Sequence, residues 1–79
     1  MDKTKRPVNF QEHLEWLALR HQSVDIIFRA ENGARTVLRD RITGLFERAG
    51  EDFLRTASGM EISVSSLIEA GGMSPDTAS

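Results

Sequence analysis

The side chains here that most readily suggest chemistry are His13 and His21, with Glu12 and Glu15 beside the first of them. The two histidines are eight residues apart. On a helix that is roughly 12 Å, too far to chelate one metal together. Both are expected at the surface or rim. Glu12 and Glu15 can form a small acidic patch on one helix. Acid/base catalysis would need a pocket and a positioned substrate as well, and no motif announces one. Glu12 also suits the electrostatics of a helix N-terminus. There is no cysteine, so no disulfide and no thiolate metal site can form. No catalytic residue, metal or cofactor is expected.

Arginine is the other chemical resource. Eight of the ten basic residues are Arg, which suits bidentate contacts, although compositional bias explains it as well. Arg39 and Arg41 fall on one strand face, and Arg29 and Arg55 can join them from neighbouring strands. These four are the candidate RNA-binding residues, a stripe able to contact phosphates. Asp25, Asp40, Glu47, Glu51 and Asp52 are close enough in sequence to neutralise it through cross-strand ion pairs. Phe28, Phe46 and Phe53 are expected in the core, leaving no aromatic on that face to stack a base. The net charge of −2 is not the strongly basic balance of a nucleic-acid-binding domain.

Elements must position these groups. A chain of 79 residues is one domain at most, with a small core. Its 39% hydrophobic and 28% charged content fits an ordinary globular protein. No apolar run approaches the roughly 20 residues that span a bilayer. The charged start has no apolar segment behind it, so no signal peptide is read and a cytoplasmic protein is expected. Residues 1–8 are expected as a flexible arm, 9–70 as the domain and 71–79 as a disordered tail. Asn9 is placed as a helix N-cap with Glu12 at the third helical position. The helix is expected over Phe10 to Arg20, with Phe10, Leu14, Leu17 and His21 as its core stripe. Trp16 and Leu19 fall on the opposite side. They imply a helix wedged between two layers, a partner, or a Trp16 folded over the rim. A homodimer would use that face as readily as a foreign partner.

Val24, Ile26 and Phe28 alternate with polar residues as in a half-buried strand. Asn32-Gly33 predicts a type I′ hairpin turn. A long second strand follows from Arg35 to about Phe46, with Leu38, Asp40, Ile42, Gly44 and Phe46 on one face. Gly44 marks a bend or bulge. Asp40 on the apolar face must be turned outward, paired with an arginine or hydrogen-bonded. Arg48 to Glu51 is a turn, Asp52 to Thr56 a strand, and Ala57 to Gly59 another turn. Met60 to Val64 and Leu67 to Ala70 are the last strands, with Ser65-Ser66 between them. One helix and five short strands with a bent second member predict a mainly β fold, a small closed five-stranded barrel with an N-terminal α-helix.

That pattern resembles the Sm-like or SH3-like barrel. Within it the chain is similar to the Rof family of small bacterial Rho-binding antiterminators. The resemblance spans residues 9 to 70. It rests on Leu14-Glu15-Trp16-Leu17-Ala18 with His21, on Asn32-Gly33, on Asp52-Phe53-Leu54, and on Glu61-Ile62-Ser63-Val64-Ser65-Ser66-Leu67-Ile68. It implies a transcription regulator that binds the termination factor Rho and inhibits termination by blocking RNA loading. The partner-binding residues it implies are Glu12, His13, Glu15, Trp16 and Arg20, and the exposed Leu19 is grouped with them. The alternative is an Sm-like RNA-binding module, possibly oligomeric. The step between the last two strands, Ser65-Ser66, carries no basic or aromatic residue of the kind that grips a base in Hfq and the Sm proteins.

Overall fold

A computed structural model describes residues 9–75. The expected arm at 1–8 and the last four residues of the expected tail lie outside the described residues. In chain order come α1 (Phe10–Arg20), β1 (Ser23–Arg29), β2 (Arg35–Arg48), β3 (Glu51–Thr56), β4 (Glu61–Ser63) and β5 (Leu67–Ala70). A single 3₁₀ turn, Val64–Ser66, separates β4 from β5.

α1 starts where its cap places it. Asn9 is extended, and its side-chain oxygen accepts the Glu12 backbone N–H at 2.8 Å. Phe10, Leu14 and Leu17 are buried as expected, and the helix packs across β2. His21 departs from the expected core stripe and matches instead the surface or rim position expected of both histidines. It is exposed and takes the left-handed conformation (φ 57) that ends the helix, so its side chain leaves the helical spiral there.

The five strands form one antiparallel sheet in the order β4-β3-β2-β1-β5. The mainly β class with an N-terminal helix is as expected, but the sheet does not close into a barrel. β4 and β5 are its two edges. They follow one another through the 3₁₀ turn, with no hairpin reversal to lay them side by side.

The bend in β2 comes from a bulge. Ile42 pairs with Thr56 and Gly44 with Arg55, leaving Thr43 as the extra residue. One extra residue inverts the side-chain parity beyond it. Ile42 and Leu45 therefore both join the core, while Phe46 turns to the outer face with Gly44 and Arg48. Phe46 and Phe53, expected as core, are half-exposed there. The core itself is Phe10, Leu14, Leu17, Ile26, Phe28, Ile42, Leu54, Ile62, Leu67 and Ala70.

The first hairpin turn differs in type from expectation. In the first hairpin, the Gly33 N–H bonds to the Ala30 carbonyl and the Ala30 N–H to the Ala34 carbonyl, both at 2.8 Å. Glu31 and Asn32 are thus the central turn residues, and Gly33 (φ 86) follows in the left-handed region. This is the three-residue loop with a bulge, not type I′. Positive φ at two consecutive residues occurs instead at Ala49 (54) and Gly50 (81), between the paired Arg48 and Glu51. The turn after β3 repeats the first hairpin's closure, Gly59 N–H to Thr56 O and Thr56 N–H to Met60 O. Asp40 secures that turn from β2. Its carboxylate accepts the Ser58 N–H at 3.1 Å and the Arg41 N–H at 2.7 Å. The expected hydrogen bonding is present, made to backbone N–H groups and to the Ser58 hydroxyl and not to an arginine side chain.

Candidate functional site

On α1, Phe10, His13, Trp16 and Arg20 form a ladder. Ring centres are 6.2 Å apart for Phe10–His13 and 6.0 Å for His13–Trp16, and the Arg20 guanidinium lies 4.6 Å from the Trp16 ring centre. Such stacking holds a large side chain in one orientation on the surface. Trp16 is 40% exposed and Leu19 76% exposed, with Glu12 and Glu15 also exposed. Five of the six expected partner-facing residues therefore share the outer side of the helix. The sixth, His13, does not sit at the rim. It is only 5% exposed, and its Nε2–H donates to the Ala70 carbonyl at 2.8 Å. The imidazole ties α1 to the end of β5 and backs the Trp16 ring.

The four expected RNA-contacting arginines do not act as one free stripe. Arg39 pairs with Asp25 at 2.9 Å across the β1–β2 hairpin. Arg29 donates to the Gly33 carbonyl at 3.2 Å. Arg41 is half-buried opposite Ser23. Arg55 lies past the bulge on β3 and pairs with Glu61 at 2.7 Å. Arg39 and Arg55 both make cross-strand pairs, Arg39 with Asp25 as the nearby acids suggest and Arg55 with Glu61, which lies outside that group of acids.

The outer face of β2, β3 and β4 carries a cluster that alternation alone hides. Phe46 and Phe53 stack across the strands, with centres 5.4 Å apart and planes 12° from parallel. Arg48 sits 5.0 Å from Phe46 and 5.5 Å from Phe53, and Arg55 sits 4.9 Å from Phe46. Both arginines donate to Glu61, Arg48 at 3.1 Å and Arg55 at 2.7 Å. Hydrogen bonds from Arg55 first and Arg48 second hold the Glu61 carboxyl below its usual pKa. The signal that reveals this face is the pair Phe53-Leu54. Adjacent strand residues point to opposite sides, so only one of them can be core.

Among the described residues, no group of three His, Asp or Glu is arranged to hold a metal ion. None of the described helices is long and apolar enough to cross a membrane. No family model, curated protein or solved structure matches the chain.

Proposed function

We propose that this chain is a small regulatory binding protein with an Sm-like sheet that captures a protein partner on the outer side of α1. We propose the termination factor Rho as that partner, its RNA loading blocked by occupation of a surface and not by chemistry. One observation carries the reading. A helix whose inner side is fully used by the core also presents an oriented Trp16 and an exposed Leu19. Interface hot spots are enriched in Trp and Arg, and the loss of one commonly costs 2 kcal/mol or more. The stretches similar to the Rof family, among them residues 14–18 and 61–68, supply the identity of the partner.

Binding to purified Rho, together with a termination assay run with and without the protein, tests the reading. Trp16→Ala with Leu19→Ala is expected to weaken capture by at least about 30-fold, equivalent to ~2 kcal/mol, and to restore termination. Absence of Rho binding, or binding indifferent to both substitutions, refutes it.

A further inference from the structure

We infer a second interaction surface, the groove along the free edge of β4, whose occupant is an extended segment of another protein that alternates apolar and basic residues and pairs with β4 as an added strand. It is separate from the outer side of α1 and does not depend on the partner proposed there.

The backbone of β4 supplies the template. β4 pairs with β3 on one side only. The Thr56 N–H bonds to the Met60 carbonyl, and Leu54 lies opposite Ile62. Hydrogen bonding alternates along an antiparallel pair. Ile62 therefore faces β3, while the N–H groups of Glu61 and Ser63 and the Glu61 carbonyl face the open side. Edge strands are commonly guarded by lysine or proline, and residues 60–66 contain neither. A groove of ≈ 380 Å³ runs between this edge and the end of β1. Its apolar lining is Phe28, Phe53, Met60 and Ile62, with Met60 40% exposed. Charge selects the occupant. Glu31, Glu51 and Glu61 line the groove against one basic residue, Arg29, whose guanidinium donates to the Gly33 carbonyl. Arg48 and Arg55 balance Glu61, but among the described residues no basic side chain pairs with Glu31 or Glu51. The pleat fixes the pattern. A residue opposite Ile62 points inward with it, toward Phe28, and those opposite Glu61 and Ser63 point outward, toward the glutamates. Main-chain bonds to the edge and alternate side chains in the groove are the two parts of strand addition. A second copy of this chain fits poorly. Its own free edges, β4 and β5, carry Glu61 and Glu69 and no basic residue, so like charges would meet.

The test uses the full chain and a fluorescein-labelled, end-capped Lys-Val-Lys-Val-Lys-Val peptide. Fluorescence anisotropy is expected to show saturable binding that weakens with salt. In the NMR spectrum of the chain, the amides of Glu61 and Ser63 are expected to shift most. The counterpart with glutamate in place of lysine is expected not to bind. Glu31→Gln with Glu51→Gln is expected to weaken binding severalfold and to flatten the salt dependence. Ser63→Pro removes the edge N–H at a residue whose φ of −64 proline adopts without strain. It is expected to weaken binding about tenfold or more, whereas Ser63→Ala, which loses only the hydroxyl, is expected to bind like the parent. A peptide N-methylated at its lysines lacks the donors that face β4 in an antiparallel pairing. It is expected not to bind, and it tests the same hydrogen bonds with the chain unaltered. Thermal melts confirm that each variant is folded. The proposal is refuted if the lysine peptide does not bind saturably, or if the glutamate peptide binds as well. It is also refuted if Ser63→Pro or the methylated peptide behaves like the parent, or if sedimentation shows the free chain self-associated through β4.

Discussion

Gly71→Ala tests the packing where the end of the sheet meets the helix. Gly71 follows β5, donates its N–H to the Asp25 carbonyl at 2.9 Å, and has φ 58. A Cβ there would lie 2.9 Å from Leu17 Cδ1 and 3.0 Å from Leu17 Cδ2. The left-handed backbone alone costs an L-residue about 1–2 kcal/mol. The clash adds about 1–3 kcal/mol. In an open site a leucine tip would swing aside, but Leu17 is buried in the core and has little room to move. The expected loss is about 2–5 kcal/mol, a large share of the roughly 4–12 kcal/mol that holds a chain of this size folded. Urea unfolding measures it, and the melting temperature should fall by about 10–40 °C. Gly33→Ala is the control. Its φ is 86 but nothing lies within 4 Å of the added carbon, so only the backbone cost applies. Leu17→Val removes both clashing atoms, and combining it with Gly71→Ala should recover about 1–3 kcal/mol in a double-mutant cycle. The reasoning fails if Gly71→Ala matches Gly33→Ala, or if the cycle shows no coupling.

Three further outcomes are expected. Ala49→Asn should stabilise the chain by about 0.5–1 kcal/mol in chemical unfolding, because asparagine tolerates the positive φ that Ala49 adopts. His13→Leu should cost about 1–3 kcal/mol by the same assay, since it removes the buried hydrogen bond to Ala70. The stability profile at low pH should follow two carboxylates. The Asp40 pKa is lowered first by the Ser58 hydroxyl and then by the Arg41 N–H, and that of Glu61 by Arg55 and Arg48. Below their ordinary values of 3.8 and 4.5 the unfolded chain binds protons before the folded one. Their stabilisation is thus fully present near neutrality and is lost as pH falls through the depressed folded values. Asp40→Asn and Glu61→Gln should each flatten that acid limb of the unfolding midpoint against pH.

What could be read beforehand followed from local rules. Asn9 caps α1 because a polar side chain three residues before Glu12 satisfies an orphan N–H whatever the rest of the chain does. Val24, Ile26 and Phe28 show their strand through simple alternation. Features decided by distant pairing were not legible. His13 sits between Phe10 and Leu14, but its acceptor is a carbonyl 57 residues away, so nothing nearby marks it as buried. Phe46 belongs to the core under strict alternation and to the surface once Thr43 bulges, and the bulge is set by the register with β3. The arginine stripe was drawn from residue types, and the partners that consume Arg39 and Arg55 became visible only in the cross-strand geometry. For α1, periodicity placed Trp16 and Leu19 outside, and the structure places them there as well.

The placement of β5 beside β1 also bears on how the chain folds. The β1–β2, β2–β3 and β3–β4 pairings are each made between neighbours in sequence, and each closes a short loop. Pairing Phe28 with Leu67 must close a loop that contains all of them. The same docking creates the acceptor for His13 and brings Gly71 against Leu17. Sheet completion by β5 is therefore expected to be the late step. β5 should show low φ-values, and its amides should exchange ahead of those in β2 and β3.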